Sequence, residues 1–457
     1  MTKVDKIVQT IRDEIVSGIL PQGRRLLSLR RATEEFRVSK TTMVEAYERL
    51  SARGLIRSVQ GSGFYVSSAE SFMVPEPNPP RHVAEAIDMI SLLTAQLDQN
   101  HAVRIGDGRP PESWMQGAIP SQFPKNLFSK MDGDQSGYGS AYGHSTLREM
   151  IAVKHNRDGL PISTDQIVTT FGANHALDLI IRRFLEPGDT VLVDDPGYYP
   201  LLAKLKLHKI NAIGVPRTTE GTDVDVIRAV ARDLKPKIFF TQSTCQNPTG
   251  SSYSLACAHA VLQSAMQFGF MVVDNDPFTD LPDQQGVRLA SLDHFQSVIA
   301  ISSFSKLLSA SFRVGYLVAA RKVAREMTAL KMVTTVNSSR FSEMIVADMI
   351  VSQRYQKHLK RLKQRIDAAR QSYLSRITQL GLKVFDPNER GFYSLLLLPD
   401  HIDESQLARN ASDKGIFVAP GRLFRTGDYS GPATLRVNVT RSEGPQFYRF
   451  LKSEIGA

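Results

Sequence analysis

Apolar residues in the first seventy positions fall at helical spacing. Val4, Ile7, Val8, Ile11 and Ile15 recur every three or four residues, and Gly18 and Pro21 then stop the helix. A second, short helix is expected from Ser28, as its N-cap, to about Phe36. Ser39 caps a third, in which Met43, Ala46, Tyr47 and Leu50 form one apolar face before Gly54 ends it. The pattern then shortens. Leu55 to Gln60, a Gly61-Ser62-Gly63 turn and Phe64 to Val66 predict a β-hairpin. Three helices and a hairpin make a winged helix-turn-helix over residues 1–70. Residues 71–103 sustain no pattern, and Pro75, Pro77, Pro79 and Pro80 mark an extended linker, with helical character from Ala84 to Leu97. From Arg104 to the end at 457 the rhythm is strand, turn, helix, strand. Ile167 to Thr170, Thr190 to Val193, Ile238 to Thr241, Phe270 to Val273 and Val298 to Ser302 read as strands, and Asn174 to Leu185 as a helix. Apolar strands alternating with helices predict a parallel α/β sheet covered on both faces. After about Ser352 a basic helix leads into a smaller α+β subdomain.

Composition narrows the picture. At 457 residues, 42% apolar and 22% charged, the chain is globular and long enough for two or three domains. No apolar run is long enough for a membrane helix, and the N-terminus lacks the layout of a signal peptide, so no membrane partner is expected. Two cysteines, Cys245 and Cys257, without zinc spacing fit a reduced, cytoplasmic protein better than a disulfide. The net charge is +10, and residues 1–70 carry 12 Lys/Arg against 8 Asp/Glu, a surplus that suits a polyanion.

The start of a recognition helix enters the major groove. Here that start is Ser39, Lys40, Thr41 and Thr42, all hydrogen-bonding residues opposite the apolar face. Arg30 and Arg31 are placed to grip phosphates, and the wing tip Gly61-Ser62 to approach the backbone or the minor groove. A solvated polar face on a small helical subdomain fits the periodicity equally well. Residues 23–66 break the tie. They resemble the DNA-binding domain of GntR-type regulators at Leu27-Ser28, Arg30, Val38-Ser39, Tyr47, Leu50, Gly54 and the glycine wing. The family's usual proline is replaced by Leu27 and its usual arginine by Lys40, which keeps charge but loses bidentate geometry. The resemblance implies a double-stranded DNA operator as partner.

The second informative stretch is Ser302-Ser303-Phe304-Ser305-Lys306, followed by Arg313. A lysine after a buried strand, among hydroxyls and seven residues before an arginine, suits a Schiff base with pyridoxal 5′-phosphate (PLP), the phosphate held by hydroxyls and guanidinium. The stretch resembles the cofactor-lysine motif of fold-type I aminotransferases, and the likeness runs over roughly 104–457. It implies that Lys306 is the catalytic, cofactor-bearing residue and that Ser303 and Arg313 hold phosphate. It further implies that Gly172-Ala173 opens a phosphate-binding helix and that Tyr198 stacks on the ring. Asn247 of Asn247-Pro248-Thr249-Gly250 would bind the phenolic oxygen, Tyr138 would reach the partner subunit's cofactor, and Arg436 would clamp a substrate carboxylate. The family places an aspartate opposite the pyridine nitrogen and a tyrosine three residues on. In the preferred register those positions hold Asn275 and Phe278; a slip of one residue would bring Asp274 or Asp276 instead.

Together the two ends resemble the MocR subfamily of GntR regulators, a winged helix joined to an aminotransferase-like domain. The resemblance implies a homodimeric, PLP-dependent transcriptional regulator. It would sense an amino acid or amine that displaces Lys306 from PLP to form an external aldimine, with weak or no transaminase turnover. The alternative is an active aminotransferase carrying a DNA-binding appendage.

Overall fold

A computed structural model describes residues 2–67, 79–98, 100–119, 137–282, 286–427 and 431–456. The chain divides into two compact units, Met1–Pro79 and Pro80–Ala457.

The first unit holds α1 (Lys3–Val16), α2 (Leu29–Phe36), α3 (Lys40–Ala52), β1 (Ile56–Val59) and β2 (Gly63–Val66). Its core is the periodic set of the sequence: Val4, Ile7, Val8, Ile11, Met43, Ala46, Tyr47 and Leu50 are buried together. Tyr47 ties helix to wing, its ring edge-on to Phe64 at 5.0 Å and its hydroxyl donating to the Leu27 carbonyl at 2.9 Å. β1 and β2 pair antiparallel from Ile56↔Val66 to Val59↔Gly63, with Gly61 at φ 74° and Gly63 at φ 108° in the turn.

The second unit begins inside the stretch expected as linker. Pro75 and Pro77 lie outside the described residues, but α4 (Arg81–Asp88) and α5 (Ser91–Asp98) belong to the large unit. The single helix expected from Ala84 to Leu97 is broken at Met89-Ile90. Leu92 of α5 is buried with Tyr199, Phe417 and Phe424, which no local pattern in the sequence announces.

After α6 (Glu112–Met115) and α7 (Ser145–Arg157) come the strands of an eight-stranded sheet. They are β3 (Ile167–Thr170), β4 (Thr190–Asp195), β5 (Asn211–Thr218), β6 (Gly221–Thr222), β7 (Ile238–Thr241), β8 (Met271–Asn275), β9 (Val298–Ser303) and β10 (Gly315–Val318). The order is β3-β10-β9-β8-β7-β4-β5-β6. The sheet is mixed, not purely parallel. β10 runs antiparallel to β9 and β3, and β6 antiparallel to β5. Parallel neighbours need a crossover, usually a helix. The link from β9 to β10 holds the turn carrying Lys306 and one short 3-10 turn, Ala310–Phe312, with no crossover α-helix, so β10 returns antiparallel.

Period-two alternation splits the strands between two cores. Leu192, Phe239, Val272 and Val298 face one cluster, and Val193, Phe240, Val273 and Ile299 the other. The helix α8 (Ala173–Phe184) covers the second face with Ala176, Leu177, Leu179, Ile180 and Ile181. A 26-residue helix, Arg354–Gln379, precedes an antiparallel sheet of order β11-β12-β14-β13, built from β11 (Lys383–Val384), β12 (Tyr393–Leu397), β13 (Ala419–Pro420) and β14 (Thr434–Asn438). Cys245 and Cys257 are buried free thiols. Among the described residues, no helix is long and apolar enough to cross a membrane.

Candidate functional site

Residues 103–109 cross from the small sheet to the end of β9. Val103 bridges Ile416, and the Gly106 amide donates to the Phe417 carbonyl at 2.9 Å. A Cβ at Gly106 would stand 2.5 Å from the Val418 carbonyl carbon, so only glycine permits this approach. Two carbonyls of the segment then meet two cations. The Gly108 oxygen accepts from Lys306 Nζ at 2.8 Å and from the Tyr393 hydroxyl at 2.9 Å. The Gly106 oxygen accepts from Arg436 Nη2.

Lys306 follows β9 in a turn closed by the Phe304 amide on the Val314 carbonyl, 3.0 Å, and by the Ser305 amide on Ser303 Oγ, 3.1 Å. Desolvation first, then the positive charges of Arg436, Arg109 and Arg313, lower the pKa of its ammonium to about 7. A lysine so placed has a substantial share of neutral, nucleophilic amine near pH 7.

Arg436, on β14, is 1% exposed and lies between the rings of Tyr393 and Phe424 at 5.1 and 5.0 Å. Its Nη1 donates to Asn247 Oδ1 at 3.4 Å. Asn247 in turn lines a cleft with Tyr198, Leu177, Val273 and Asn275. Asn275 shares the β8 face of Val273, one side of the sheet. Asp274 falls on the other side with Val272, where its carboxylate accepts from the Ser243 amide at 2.9 Å and the Ser243 hydroxyl at 2.6 Å. Asp276 joins Asp274 in a separate cavity with His155 and Arg288, and burial pushes its carboxyl up to about 6. Of the three, Asn275 is thus the one that lines the cleft with Asn247 and Tyr198. Phe278 is not at this cleft: it packs on Phe392 at 4.8 Å and Tyr393 at 5.8 Å.

Gly172 caps α8, the helix that lends Leu177 to the cleft, at φ 81°, and Ala173 is its first residue. The earliest amides of a helix have no intrahelical acceptor. Arg313 approaches the same turn: its Nη2 donates to the Phe171 carbonyl at 2.8 Å, and a Cβ at Gly172 would meet that Nη2 at 3.0 Å. A Cβ at Gly315 would stand 2.7 Å from Gly172 Cα, so the start of β10 and this turn also touch backbone to backbone.

These residues fit PLP. A helix start, a guanidinium and serine hydroxyls suit a phosphate, and Lys306 suits an aldehyde. Among the described residues, Asn275 Oδ1, Ser305 Oγ and Arg436 Nε are buried polar atoms without a hydrogen-bond partner. Buried polar groups are normally satisfied, so a polar ligand is the natural complement.

Tyr138 is the exception. It is 85% exposed and lines a different cavity with Arg340, Arg148 and Glu343. In the first unit, Lys40 and Thr41 are exposed at the start of α3, as are Arg30, Arg31 and Gly61. Ser39 and Thr42 are engaged with each other: Ser39 Oγ accepts from the Thr42 amide at 3.2 Å and bonds Thr42 Oγ1 at 2.8 Å. Ser62 Oγ bonds the Tyr65 hydroxyl at 2.6 Å. Gly108, Arg109 and Tyr393 were not anticipated. The run Gly106-Asp107-Gly108-Arg109-Pro110 was the available signal, since two closely spaced glycines mark close backbone approach.

Residues 100–446 match the family "Aminotransferase class I and II", most of the chain. The chain belongs to that family. Residues 3–66 match "Bacterial regulatory proteins, gntR family". The HTH-type transcriptional regulator YdcR of Escherichia coli is 28% identical over 446 residues, 94% of this chain and 93% of its own. NorG of Staphylococcus aureus, also an HTH-type transcriptional regulator, is 23% identical over 89% of this chain and 94% of its own. Among solved structures, Pyrococcus horikoshii kynurenine aminotransferase with PMP superposes at a TM-score of 0.70 with 27% identity, over 81% of this chain and 95% of that one. The protein is thus a transcriptional regulator of MocR type, with a GntR helix-turn-helix domain and an aminotransferase-like domain of fold type I.

Proposed function

We propose that this regulator holds PLP on Lys306 and reports an amino compound to DNA. PLP bound there would supply an aldehyde that condenses reversibly with primary amines. The observation that carries the reading is Lys306 itself: an amine with a pKa of about 7, one hydrogen bond from Gly108 and close to Arg436. Ser303, Arg313 and the α8 start at Gly172-Ala173 would hold the phosphate, Tyr198 would cover the ring, and Asn247 would meet its phenolic oxygen. Asn275 would meet the ring nitrogen with a neutral amide. Arg436 would take the carboxylate of an incoming amino acid.

The effector's amine would replace Lys306, and the freed lysine would return to the Gly108 carbonyl. That exchange would bias a dimer between arrangements in which two winged helices do or do not fit two operator half-sites. A cytoplasmic homodimer follows as part of the proposal. Exposed Met332, Val333 and Phe341, together with Tyr138, support a subunit contact.

The test is absorbance. Purified chain mixed with PLP is expected to turn yellow, faster as pH rises through about 7, and Lys306→Ala to stay without the band. A wild type that never takes up PLP would end the reading. Brisk turnover with amino donors would favour the aminotransferase alternative.

A further inference from the structure

Beside Lys306 lies a cavity of about 710 Å³, separate from the cleft of Asn275. Its charged lining is Arg104, Asp107, Arg109, Glu112, Lys306 and Arg441. Two of the three arginines are already committed to one carboxylate. Arg104 Nη2 and Arg441 Nη2 stand 3.0 and 3.2 Å from Asp107 Oδ2, and Asp107 is 1% exposed. Arg441 Nε also donates to the Arg109 carbonyl at 2.7 Å, and Asn438 Nδ2 to the same carbonyl at 2.9 Å. The backbone of Arg109 is therefore fixed from two sides. Its side chain is not: among the described residues, no hydrogen bond or ion pair engages the Arg109 guanidinium. Arg109 nevertheless acts on Lys306 electrostatically, so its charge is close to the amine.

We propose that Arg109 is a specificity-determining residue that selects ligands bearing a second anionic group, amino acids with an acidic tail. This rests on the reading above, in which the ligand's amine comes to Lys306 and its α-carboxylate to Arg436. The ligand's remaining substituent then projects toward the cavity, where Arg104 and Arg441 share Asp107 and Arg109 is the guanidinium without a hydrogen-bonding or ion-pair partner among the described residues. A neutral or apolar tail would cover a guanidinium without compensating it, which is costly. A basic tail would be repelled by Arg109, Arg104 and Arg441 together. An anionic tail gains a charge-assisted, forked hydrogen bond from an arginine whose backbone is already fixed. Arginine suits this position better than lysine because the fork matches a carboxylate, sulfonate or phosphonate.

Two measurements on the full chain separate this inference from its foundation. In the first, the cofactor-free protein is titrated calorimetrically with glutarate and with butyrate, which have two and one carboxylates and no amine. Glutarate is expected to bind at least about tenfold more tightly, the worth of one charged hydrogen bond. Arg109→Gln is expected to remove that advantage and Arg109→Lys to restore part of it. In the second, the PLP-loaded protein is titrated with L-glutamate and L-glutamine and followed by absorbance. The acid is expected to act at about tenfold lower concentration in the wild type and at equal concentration in Arg109→Gln. Equal binding of glutarate and butyrate, or acid selectivity that survives Arg109→Gln, overturns the inference: Arg109 is then a solvated charge. Glutarate selectivity that depends on Arg109, with no spectral response to any amine, sustains the acidic subsite and instead overturns the proposed function. Because no hydrogen bond or ion pair engages the Arg109 guanidinium among the described residues, circular dichroism of Arg109→Gln is expected to match the wild type.

Discussion

Asn275 shows how much chemistry rests on one alternating strand. Val272 and Val273 belong to opposite cores, so the face of residue 275 follows from period two once a single neighbour is placed. The sequence left three candidates, Asp274, Asn275 and Asp276, because short apolar runs do not fix which side of a sheet a residue meets. Only the pairing of β8 with β7 and β9 resolves them. In the proposed site, an amide at 275 would donate a hydrogen bond to an unprotonated ring nitrogen but would not stabilise a protonated one as a carboxylate does. Exchange of one amine for another needs no electron sink, whereas removal of an α-proton does. Asn275→Asp is therefore expected to hold PLP more tightly in equilibrium dialysis. It is also expected to raise the slow transamination of an amino donor about tenfold, the worth of one pK unit of charge stabilisation. An unchanged dialysis constant and rate would mean that residue 275 does not meet the ring.

At the scale of elements, α1, α2, α3 and the wing were legible to within a residue or two, because each has a cap, an apolar face and a stop. The same holds for β7 and α8. What escaped was set by distant partners. Antiparallel β10 is fixed by pairing with β3, far away in sequence, and the break between α4 and α5 accompanies burial of Leu92 against Tyr199 and Phe424. The recognition element also divides its labour in a way residue type alone did not reveal. Ser39 and Thr42 close the N-terminus of α3, which leaves Lys40 and Thr41 to face outward. Lys40→Ala is expected to weaken binding to a selected operator duplex and to lower the slope of log affinity against log salt by about 1, as for one lost phosphate contact. Ser39→Ala is instead expected to destabilise the first unit by about 1 kcal/mol, visible as faster hydrogen exchange in α3. Identical behaviour of the two variants in both assays would show that the capping and outward roles are not separate.

At the scale of the molecule, Tyr138, expected to reach the cofactor of a partner subunit, is the most telling residue. Tyr138 stands 85% exposed beside Gly139, where a Cβ would clash with Arg340 at 2.5 Å, and a tyrosine is rarely left so bare without a partner. Within one chain, the cavity it lines with Arg340, Arg148 and Glu343 includes none of Lys306, Asn247 and Arg436. If Tyr138 serves the phosphate of a second copy, each site is built from two chains and depends on the dimer. Complementation of two defective chains decides this. Lys306→Ala removes the amine of its own chain, and Tyr138→Ala removes the hydroxyl it lends across. Mixed in equal amounts and allowed to exchange subunits, the two variants are expected to form some dimers with one intact site, combining Lys306 from one chain with Tyr138 from the other. Those dimers should retain PLP through gel filtration at twice the chain mass, although neither variant alone retains it tightly. If Tyr138 acts only within its own chain, every site in the mixture carries a defect and no tight fraction appears. The same experiment tests the regulatory proposal, because a site shared between subunits couples what the effector does at Lys306 to how two winged helices are held.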